Sequence, residues 1–457
     1  MRMHLAAAGS ALLMLAGACT DSTDDASTSS SVPVSASAPV PSSTEAPTST
    51  TAPVPLTASF RGVSAEAISV GVAIVDLDEL NQLGFVDFTH GNKEAIYQAL
   101  FDELNEQGGI LGRRLDPVYE TILPIANTAG EEACLRLTED HEVFVVLGIW
   151  IGESVLCVTD DHETNYIGHQ TSQSMMDRSV AVLASPDINP ERRLEALLSV
   201  LGQTGRLDDE TVGILTQTTM EDSVRSEAVP RLEGLGASVG TVGVITSADD
   251  AVAAGAELAT FVERWQSEGV TTVLFLGATA QDQVPETVDA MGDITKISDD
   301  PEVARQLAAS SGRADAYAGM ITMNGLNSTT REQFDEPLLQ ECFDIVVDQL
   351  PELDEVVPPS EVVDGDPDWY TGIRDACTNL AVLVAGATAA GPELTNDTFR
   401  TGIESVGSVA IPGKVFSSLG PGKYDAEDGF RLYEFDPSVG EDGAFVPQSD
   451  IVDVTQG

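Results

Sequence analysis

The histidines are the residues most suited to acid–base or metal chemistry, and the chain has five of them: His4, His90, His141, His162 and His169. No two of them form the HExxH pair that holds zinc on one helix face, and the chain has no GxSxG nucleophile elbow. The sequence therefore gives no positive indication of an enzyme. An exported hydrolase stays open as the least favoured alternative.

One segment superficially suggests a phosphate-binding loop, from Gly407 to Lys414. Five residues rather than four separate Gly407 from Gly413-Lys414, and Val415 stands where a serine or threonine would bind magnesium. We reject that interpretation. Acidic pairs such as Asp160-Asp161 also suggest chemistry, but among 74 Asp and Glu residues such pairs arise by chance on a solvated surface. We expect no metal and no cofactor.

The excess of acidic over basic residues limits the kinds of molecule that the protein can bind. With 22 Lys and Arg, the formal net charge is −52, which repels nucleic acid and anionic lipid headgroups. The excess is spread along the chain, which is typical of a solvated acidic surface. Steering of cationic ligands is the alternative.

The N-terminus has the pattern of an export signal. Residues 1–18 carry Arg2 and then a short apolar run, which ends in Leu15-Ala16-Gly17-Ala18-Cys19. This end resembles a bacterial lipobox with Ala16 where leucine is usual, and it predicts lipidation at Cys19. Ordinary cleavage after Ala18 is the alternative. Residues 19–66 are rich in Ser, Thr and Pro and predict a disordered tether.

Four further cysteines fit an oxidising compartment: Cys134, Cys157, Cys342 and Cys377. They have no CxxC spacing, so a zinc or redox motif is not indicated. Of the three possible pairings we favour Cys134–Cys157 and Cys342–Cys377, because each pair falls within one local helix–loop–helix stretch. Four buried free thiols are the alternative.

Strands and helices alternate from Ala67 onward, which predicts an α/β protein with parallel sheets covered on both faces. Ile68–Val75 is a continuous apolar run, as expected of a strand buried on both faces. One sheet with so many strands would be unusually wide, so we predict two lobes. A chain that fills one lobe, then the other, then returns suits a clamp that closes on a ligand.

Ligands of parallel α/β sheets bind at the carboxyl ends of the strands, where helix N-termini attract anions. The candidate residues there are Phe85, Trp150, Ser154, His169, Gln170, Thr171, Ser172, Thr218, Met220 and Thr279. Several have structural alternatives. Trp150 can be a packed loop aromatic, His169 a satisfied structural side chain, and Ser154, Thr171 and Ser172 helix N-caps.

The segment Asn105–Arg113 resembles the N-x-x-G-G-I-x-G-R segment of type I periplasmic binding proteins, most closely the branched-chain amino acid (Leu/Ile/Val) receptors of ABC importers. Leu419–Asp425 is similar to a turn in actinobacterial members. The resemblance implies two Rossmann-like lobes joined by three hinge crossings, with the solute in the cleft. It further implies that Ser154 and the loop at Thr171 hold a carboxylate.

The domain organisation expected on this basis gives residues 67–187 and 324–408 to lobe 1 and residues 188–323 and 409–452 to lobe 2. One departure from the family lies at Met220-Glu221, where amino acid receptors often have Tyr-Gly. No acid is identified for an α-ammonium group, since Glu153, Glu221 and Asp282 are only neighbours of the expected region.

The function expected from this resemblance is that of a monomeric solute-binding lipoprotein at the extracytoplasmic face of the membrane. It would deliver an amino acid or a related carboxylate or amide to an ABC permease, with no catalytic step. A ligand-sensing receptor of the same fold, which signals to a membrane partner, is the alternative.

Overall fold

The computed structural model describes residues 56–125, 128–150, 152–169, 171–328, 331–363, 365–440 and 443–456. Cys19, the predicted signal peptide, most of the predicted tether and Gln170 lie outside the described residues. Among the helices that are described, none combines the length and the apolar character needed to cross a bilayer.

The first part of the chain forms a parallel sheet with its covering helices. Its strands are β1 (Ala67–Val75), β2 (Arg114–Ile122), β3 (Val145–Ile149), β4 (Asn165–His169) and β5 (Leu183–Ala184). Its helices are α1 (Leu77–Gln82), α2 (Lys93–Glu106), α3 (Ala129–Leu135) and α4 (Gln173–Arg178). The strand order is β2-β1-β3-β4-β5, and all four pairings are parallel.

A second sheet follows. Its parallel strands are β6 (Thr211–Gln217), β7 (Ser238–Ile245), β8 (Thr272–Leu276), β9 (Thr295–Ser298) and β10 (Ile321–Asn324). The helices are α5 (Pro190–Gln203), α6 (Glu221–Ser223), α7 (Val229–Gly234), α8 (Ala251–Glu268), α9 (Ala278–Gln281), α10 (Val284–Met291), α11 (Pro301–Ser310) and α12 (Ala314–Tyr317).

The last third adds helices to the first part of the chain and strands to the second sheet. Its helices are α13 (Arg331–Phe334), α14 (Pro337–Gln349), α15 (Trp369–Ala390) and α16 (Asn396–Ser405). Its strands are β11 (Gly407–Ser408), β12 (Ser418–Leu419), β13 (Gly429–Asp436), β14 (Ala444–Pro447) and β15 (Val452–Asp453). Strands β11 and β12 pair with each other. Strand β13 pairs antiparallel with β10, β14 and β15, so the second sheet is mixed where we expected a parallel one. A short connection joins β13 to β14, which favours their antiparallel pairing, whereas β13 reaches β10 only after the chain has passed through helices α13 to α16.

The apolar cores identify two lobes. Lobe 1 joins β1, β3 and α2 to α14, α15 and α16 in one core, and lobe 2 joins α5, β6 and β8 to β10 and β13. The chain passes between them three times: between β5 and α5, between β10 and α13, and between β12 and β13. The sequence placed the last boundary between lobe 1 and lobe 2 at residues 408 and 409, and that boundary stays a prediction. Ile411 and Leu419, which follow it, pack in the lobe 1 core.

The first and third crossings lie side by side and are hydrogen-bonded. The Ser185 amide donates to the Tyr424 carbonyl at 2.9 Å, and the Ala426 amide donates to the Ser185 carbonyl at 2.9 Å. The carboxylate of Asp425, fully buried, forms an ion pair with Arg192 at 2.6 Å. These contacts fix the two connecting segments to each other at the base of the cleft.

The two adjacent glycines Gly108 and Gly109, within the segment Asn105–Arg113, have a structural role. Gly109 has a φ of 66°, and a Cβ there would lie 2.0 Å from the Arg113 carbonyl oxygen. The Arg113 side chain, 1% exposed, donates to the carbonyls of Ser64, Thr57 and Pro392. Residues 56–66, which we assigned to the tether, are thereby bound to the surface of lobe 1.

Both disulfides are present in the pairing that the sequence favoured. Cys134 and Cys157 are bonded with sulfurs 2.10 Å apart, and Cys342 and Cys377 with sulfurs 2.16 Å apart. The second disulfide links α14 to α15, two helices of lobe 1.

Candidate functional site

A cavity of 360 Å³ lies at the base of the cleft and takes residues from all three crossings. We call it the hinge cavity. Lobe 1 contributes the end of β4 and two side chains of α15, and lobe 2 contributes the first turn of α5 and the end of β10. Its lining residues are His169, Thr171, Ser185, Asp187, Ile188, Pro190, Arg193, Asn324, Leu326, Ser328, Gln333, Arg374, Thr378, Pro412, Lys414, Glu427 and Phe430.

Asp187 is the central anion of the cavity and lies between two basic groups. Its carboxylate is 2.6 Å from His169 Nδ1 and 2.9 Å from Lys414 Nζ. Burial alone would raise the pKa of Asp187, but Lys414 and His169 outweigh it and hold that pKa well below its usual value. Asp187 is therefore ionised and fixed in place.

Lys414 has a side chain that is 7% exposed, and its Nζ lies 2.9 Å from the carboxylate of Asp187 and 2.9 Å from that of Glu427. Burial alone would lower the pKa of Lys414, yet the two carboxylates raise it. The preceding Gly413 is itself positioned, because its amide donates to Glu336 at 2.8 Å and its carbonyl accepts from Gln333 at 2.8 Å. Lys414 thus joins the first and third crossings as a charged fixed point.

Arg374 brings a second cation to the cavity from α15. Its guanidinium lies 5.7 Å from the centre of the Tyr370 ring and 2.8 Å from the carboxylate of Asp375. Asp375 also faces Lys93 at 3.3 Å and His169 Nε2 at 3.8 Å. These contacts form a charged network from α2 to the first crossing.

Arg193 is the third cation and the least satisfied one. Its nearest carboxylate is Asp300, at 3.9 Å, and its Nε is buried without a hydrogen-bond partner among the described residues. A buried donor of this kind is costly unless a ligand or water accepts from it. Together with Arg374, Arg193 gives the cavity a cationic character that is unusual in a chain with 22 Lys and Arg.

Two of the predicted site residues, His169 and Thr171, line the hinge cavity. Thr171, 6% exposed, donates through Oγ1 to Asn189 Oδ1 at 3.0 Å. Both side chains are fixed by neighbours from the first crossing, so they form part of the cavity wall. Gln170, between them, lies outside the described residues.

The predicted loop at Trp150 packs inward. Trp150 is 2% exposed, lies edge-on to Tyr166 and donates to Ser154 Oγ at 3.0 Å. Ser172 caps α4, since its hydroxyl accepts from the Met175 amide at 3.2 Å. These positions agree with the structural alternatives for Trp150 and Ser172, and the role of each in ligand binding stays a prediction.

The remaining predicted residues lie outside the lining of the hinge cavity. Phe85 is 66% exposed in the loop between α1 and α2. Thr218 and Met220 form a single turn after β6, and the Thr279 amide in α9 donates to Gln217 at 3.2 Å. Their place in a ligand site stays a prediction.

The residues that sequence reasoning missed are Asp187, Arg193, Arg374 and Lys414. A usable signal was present: Lys414 interrupts the apolar run from Val409 to Phe416, and Arg374 lies in a largely apolar helix. In a chain poor in cations, a cation within an apolar segment indicates a specific partner. What the sequence could not supply is the convergence of four segments on one cavity.

Catalytic use of the His169–Asp187 pair would require a nucleophile at the other ring nitrogen. His169 Nε2 has no hydrogen-bond partner among the described residues, and the group nearest to it that carries charge is Asp375 at 3.8 Å. A carboxylate at that position can orient the imidazole ring. It carries no proton for the imidazole to remove, unlike the hydroxyl or thiol of a nucleophilic side chain.

Comparison with protein-family models gives no match, and comparison with curated proteins gives none either. Solved structures do match. An ABC transporter substrate-binding protein from Desulfitobacterium hafniense in complex with Leu is 13% identical, with a TM-score of 0.51 over 83% of this chain and 100% of that one. A leucine-binding protein from Thermotoga maritima is 11% identical, with a TM-score of 0.51 over 85% and 100%.

A third similar structure is a solute-binding protein of an ABC transporter from Rhodopseudomonas palustris in complex with p-hydroxybenzoic acid. It is 10% identical, with a TM-score of 0.51 over 85% of this chain and 98% of that one. At these identities the likeness establishes the fold. The chain has the two-lobed α/β architecture of type I periplasmic binding proteins, as the sequence predicted.

Proposed function

We propose that this protein binds a small solute with a carboxylate group in the hinge cavity and delivers it to an ABC permease. The observation that carries the proposal is the approach of Arg193, Arg374 and Lys414 to one cavity between the lobes, with the Arg193 Nε buried and without a hydrogen-bond partner in the described part of the chain. Guanidinium groups bind carboxylates through paired, charge-assisted hydrogen bonds.

The charge arrangement favours a carboxylate over an ammonium group. Both lining acids, Asp187 and Glu427, already contact Lys414 at 2.9 Å, so neither needs a cationic ligand. Arg193 has no comparably close carboxylate among the residues that the structure describes, since Asp300 lies at 3.9 Å. The ligands named for two of the similar structures, Leu and p-hydroxybenzoic acid, both carry a carboxylate. We infer an amino acid or a related carboxylate or amide as the solute class.

Lobe closure provides the transport function. Three crossings allow the lobes to rotate about the base of the cleft, and a ligand favours closure only by contacts that it makes better in the closed state. A solute between Arg374 of lobe 1 and Arg193 of lobe 2 would supply such contacts. No catalytic step is required.

We further propose that the protein acts at the extracytoplasmic face of the membrane, anchored through a lipid on Cys19. The lipobox-like Leu15–Cys19 segment supports the anchor. The two disulfides support an oxidising compartment, because thiols are kept reduced in the cytosol.

A test of solute binding uses Arg193→Gln and calorimetric titration with leucine, p-hydroxybenzoate and succinate, each beside its neutral amide. We expect at least one carboxylate to bind without turnover, and the variant to weaken it roughly tenfold to a hundredfold through the lost charged hydrogen bond.

The matched control is Arg313→Gln, which removes an exposed lobe 2 arginine paired with Asp289 at 2.9 Å. Solute affinity should stay within about twofold of the original value. Equal weakening by both variants, or conversion of the solute to product, would overturn the proposal.

A further inference from the structure

A second cavity, of 280 Å³, lies inside lobe 1 at the ends of β1 and β3, beneath α2 and α15. We call it the lobe 1 cavity. Consecutive residues of α15 separate it from the hinge cavity, since Arg374 lines the hinge cavity and Asp375 the lobe 1 cavity. Its lining residues are Ala73, Ile74, Val75, Leu77, Phe88, His90, Lys93, Tyr97, Gly148, Ile149, Asp375 and Asn379.

The walls of this cavity are mostly apolar, and its size suits a ring. Residues of β1 and β3 line it together with Leu77 and Phe88. A cavity of about 150 Å³ with such walls is enough to hold benzene. The lobe 1 cavity therefore has room for a six-membered ring with a substituent.

Asn379 places an unsatisfied acceptor in the cavity. The side chain is 0% exposed, and its Nδ2 donates to the Tyr97 hydroxyl at 3.1 Å, which fixes the amide. Its Oδ1 is buried without a hydrogen-bond partner among the described residues. A buried acceptor left unpaired is costly, so the site is completed by a group that donates a hydrogen bond.

His90 supplies a second unpartnered atom at the mouth of the cavity. Its ring stacks on Phe88 with centroids 5.1 Å apart, and its Nδ1 is buried without a partner in the described part of the chain. Burial, followed by the nearby Lys93, lowers the pKa of His90 to about 4. The imidazole is therefore neutral at physiological pH and can accept a hydrogen bond.

The two oppositely charged side chains that line the cavity neutralise each other, because Lys93 and Asp375 are paired at 3.3 Å. A charged ligand would disturb this balance, and a carboxylate would face both Asp375 and the Asn379 oxygen. The cavity therefore favours a neutral ligand, in contrast to the hinge cavity.

We propose that the lobe 1 cavity is a second binding site, for a small neutral aromatic or cycloaliphatic molecule that donates a hydroxyl or amide hydrogen to Asn379. The apolar ring lies against β1 and β3, and the donor group reaches the buried amide oxygen. This site does not depend on the identity of the solute in the hinge cavity.

The test is titration of the whole protein with phenol, toluene and benzoate, followed by ligand-observed NMR or calorimetry. We expect phenol to bind roughly fivefold to tenfold more tightly than toluene, and benzoate to bind most weakly. In Asn379→Leu the preference should disappear or reverse, because the acceptor is replaced by an apolar group of similar size.

Two further variants keep the test decisive if Asn379→Leu does not fold. Val75→Trp fills the cavity from the end of β1 and should abolish phenol binding, whereas Arg193→Gln changes only the hinge cavity and should leave it within about twofold. Phenol binding that survives Val75→Trp, a failure of phenol to bind, or ordered water alone at Asn379 after phenol soaking would overturn this proposal. If phenol binding is lost in Arg193→Gln but not in Val75→Trp, phenol binds in the hinge cavity. That result would overturn the second site and leave the proposed function intact.

Discussion

His169 lies between two carboxylates, 2.6 Å from Asp187 and 3.8 Å from Asp375, with its side chain 11% exposed. Burial alone would lower its pKa, but the two carboxylates outweigh burial and raise it. The imidazolium therefore stabilises the folded protein, and it does so through groups that line both cavities.

The sign of the pH dependence follows from this raised pKa. The stabilising contribution is fully present below the unfolded pKa, about 6.5, and is lost as the pH rises through the higher folded pKa. We expect the free energy of unfolding of the native chain to fall relative to that of His169→Gln as the pH rises above about 6.5. Denaturant titrations across this range measure the difference, and a constant difference would contradict the assigned charge on His169.

Among the secondary-structure elements, the turn from α2 into β2 shows how far local sequence determines local structure. Asn105 both donates to the Leu115 carbonyl at 3.0 Å and accepts from the Leu115 amide at 2.7 Å. Glycine is required at 109 because of its positive φ and the close Arg113 carbonyl. Such a turn can be predicted from sequence, because its causes lie within about ten residues.

A pair of glycine substitutions tests this turn. Gly109→Ala should destabilise the protein by about 2 kcal/mol or more, from the left-handed backbone and the clash with the Arg113 carbonyl. The control is Gly255→Ala within α8, where an added Cβ meets open space. That substitution should stabilise by about 0.5–1 kcal/mol through helix propensity. Similar effects from the two substitutions, measured by urea unfolding, would reject the structural role of the turn.

The hinge cavity could not be predicted in the same way. Asp187 and Lys414 are 227 residues apart in the chain, Arg374 lies between them in sequence, and the three crossings bring these residues together. The alternation of strands and helices predicted the α/β lobes, while the antiparallel β13 depends on where the returning chain finds an open sheet edge. Contacts between residues so far apart in the chain leave no local pattern in a single sequence.

At the scale of the whole molecule, the formal charge of −52 acts on stability through repulsion spread over the surface. The buried ion pairs at Lys93, Arg192 and Lys414 are screened little by salt, whereas the exposed carboxylates are screened strongly. Salt should therefore weaken the repulsion much more than it weakens the pairs that hold the crossings together.

We expect the melting temperature to rise as sodium chloride increases from about 10 mM to about 0.5 M, because the screening length falls from about 30 Å to about 4 Å. Scanning calorimetry at constant pH measures the rise, and sodium perchlorate at matched ionic strength separates screening from salting-out. A melting temperature that falls with both salts would mean that exposed ion pairs outweigh the repulsion. The acidic surface would then be a source of stability in dilute buffer, contrary to the balance of 74 acids against 22 bases.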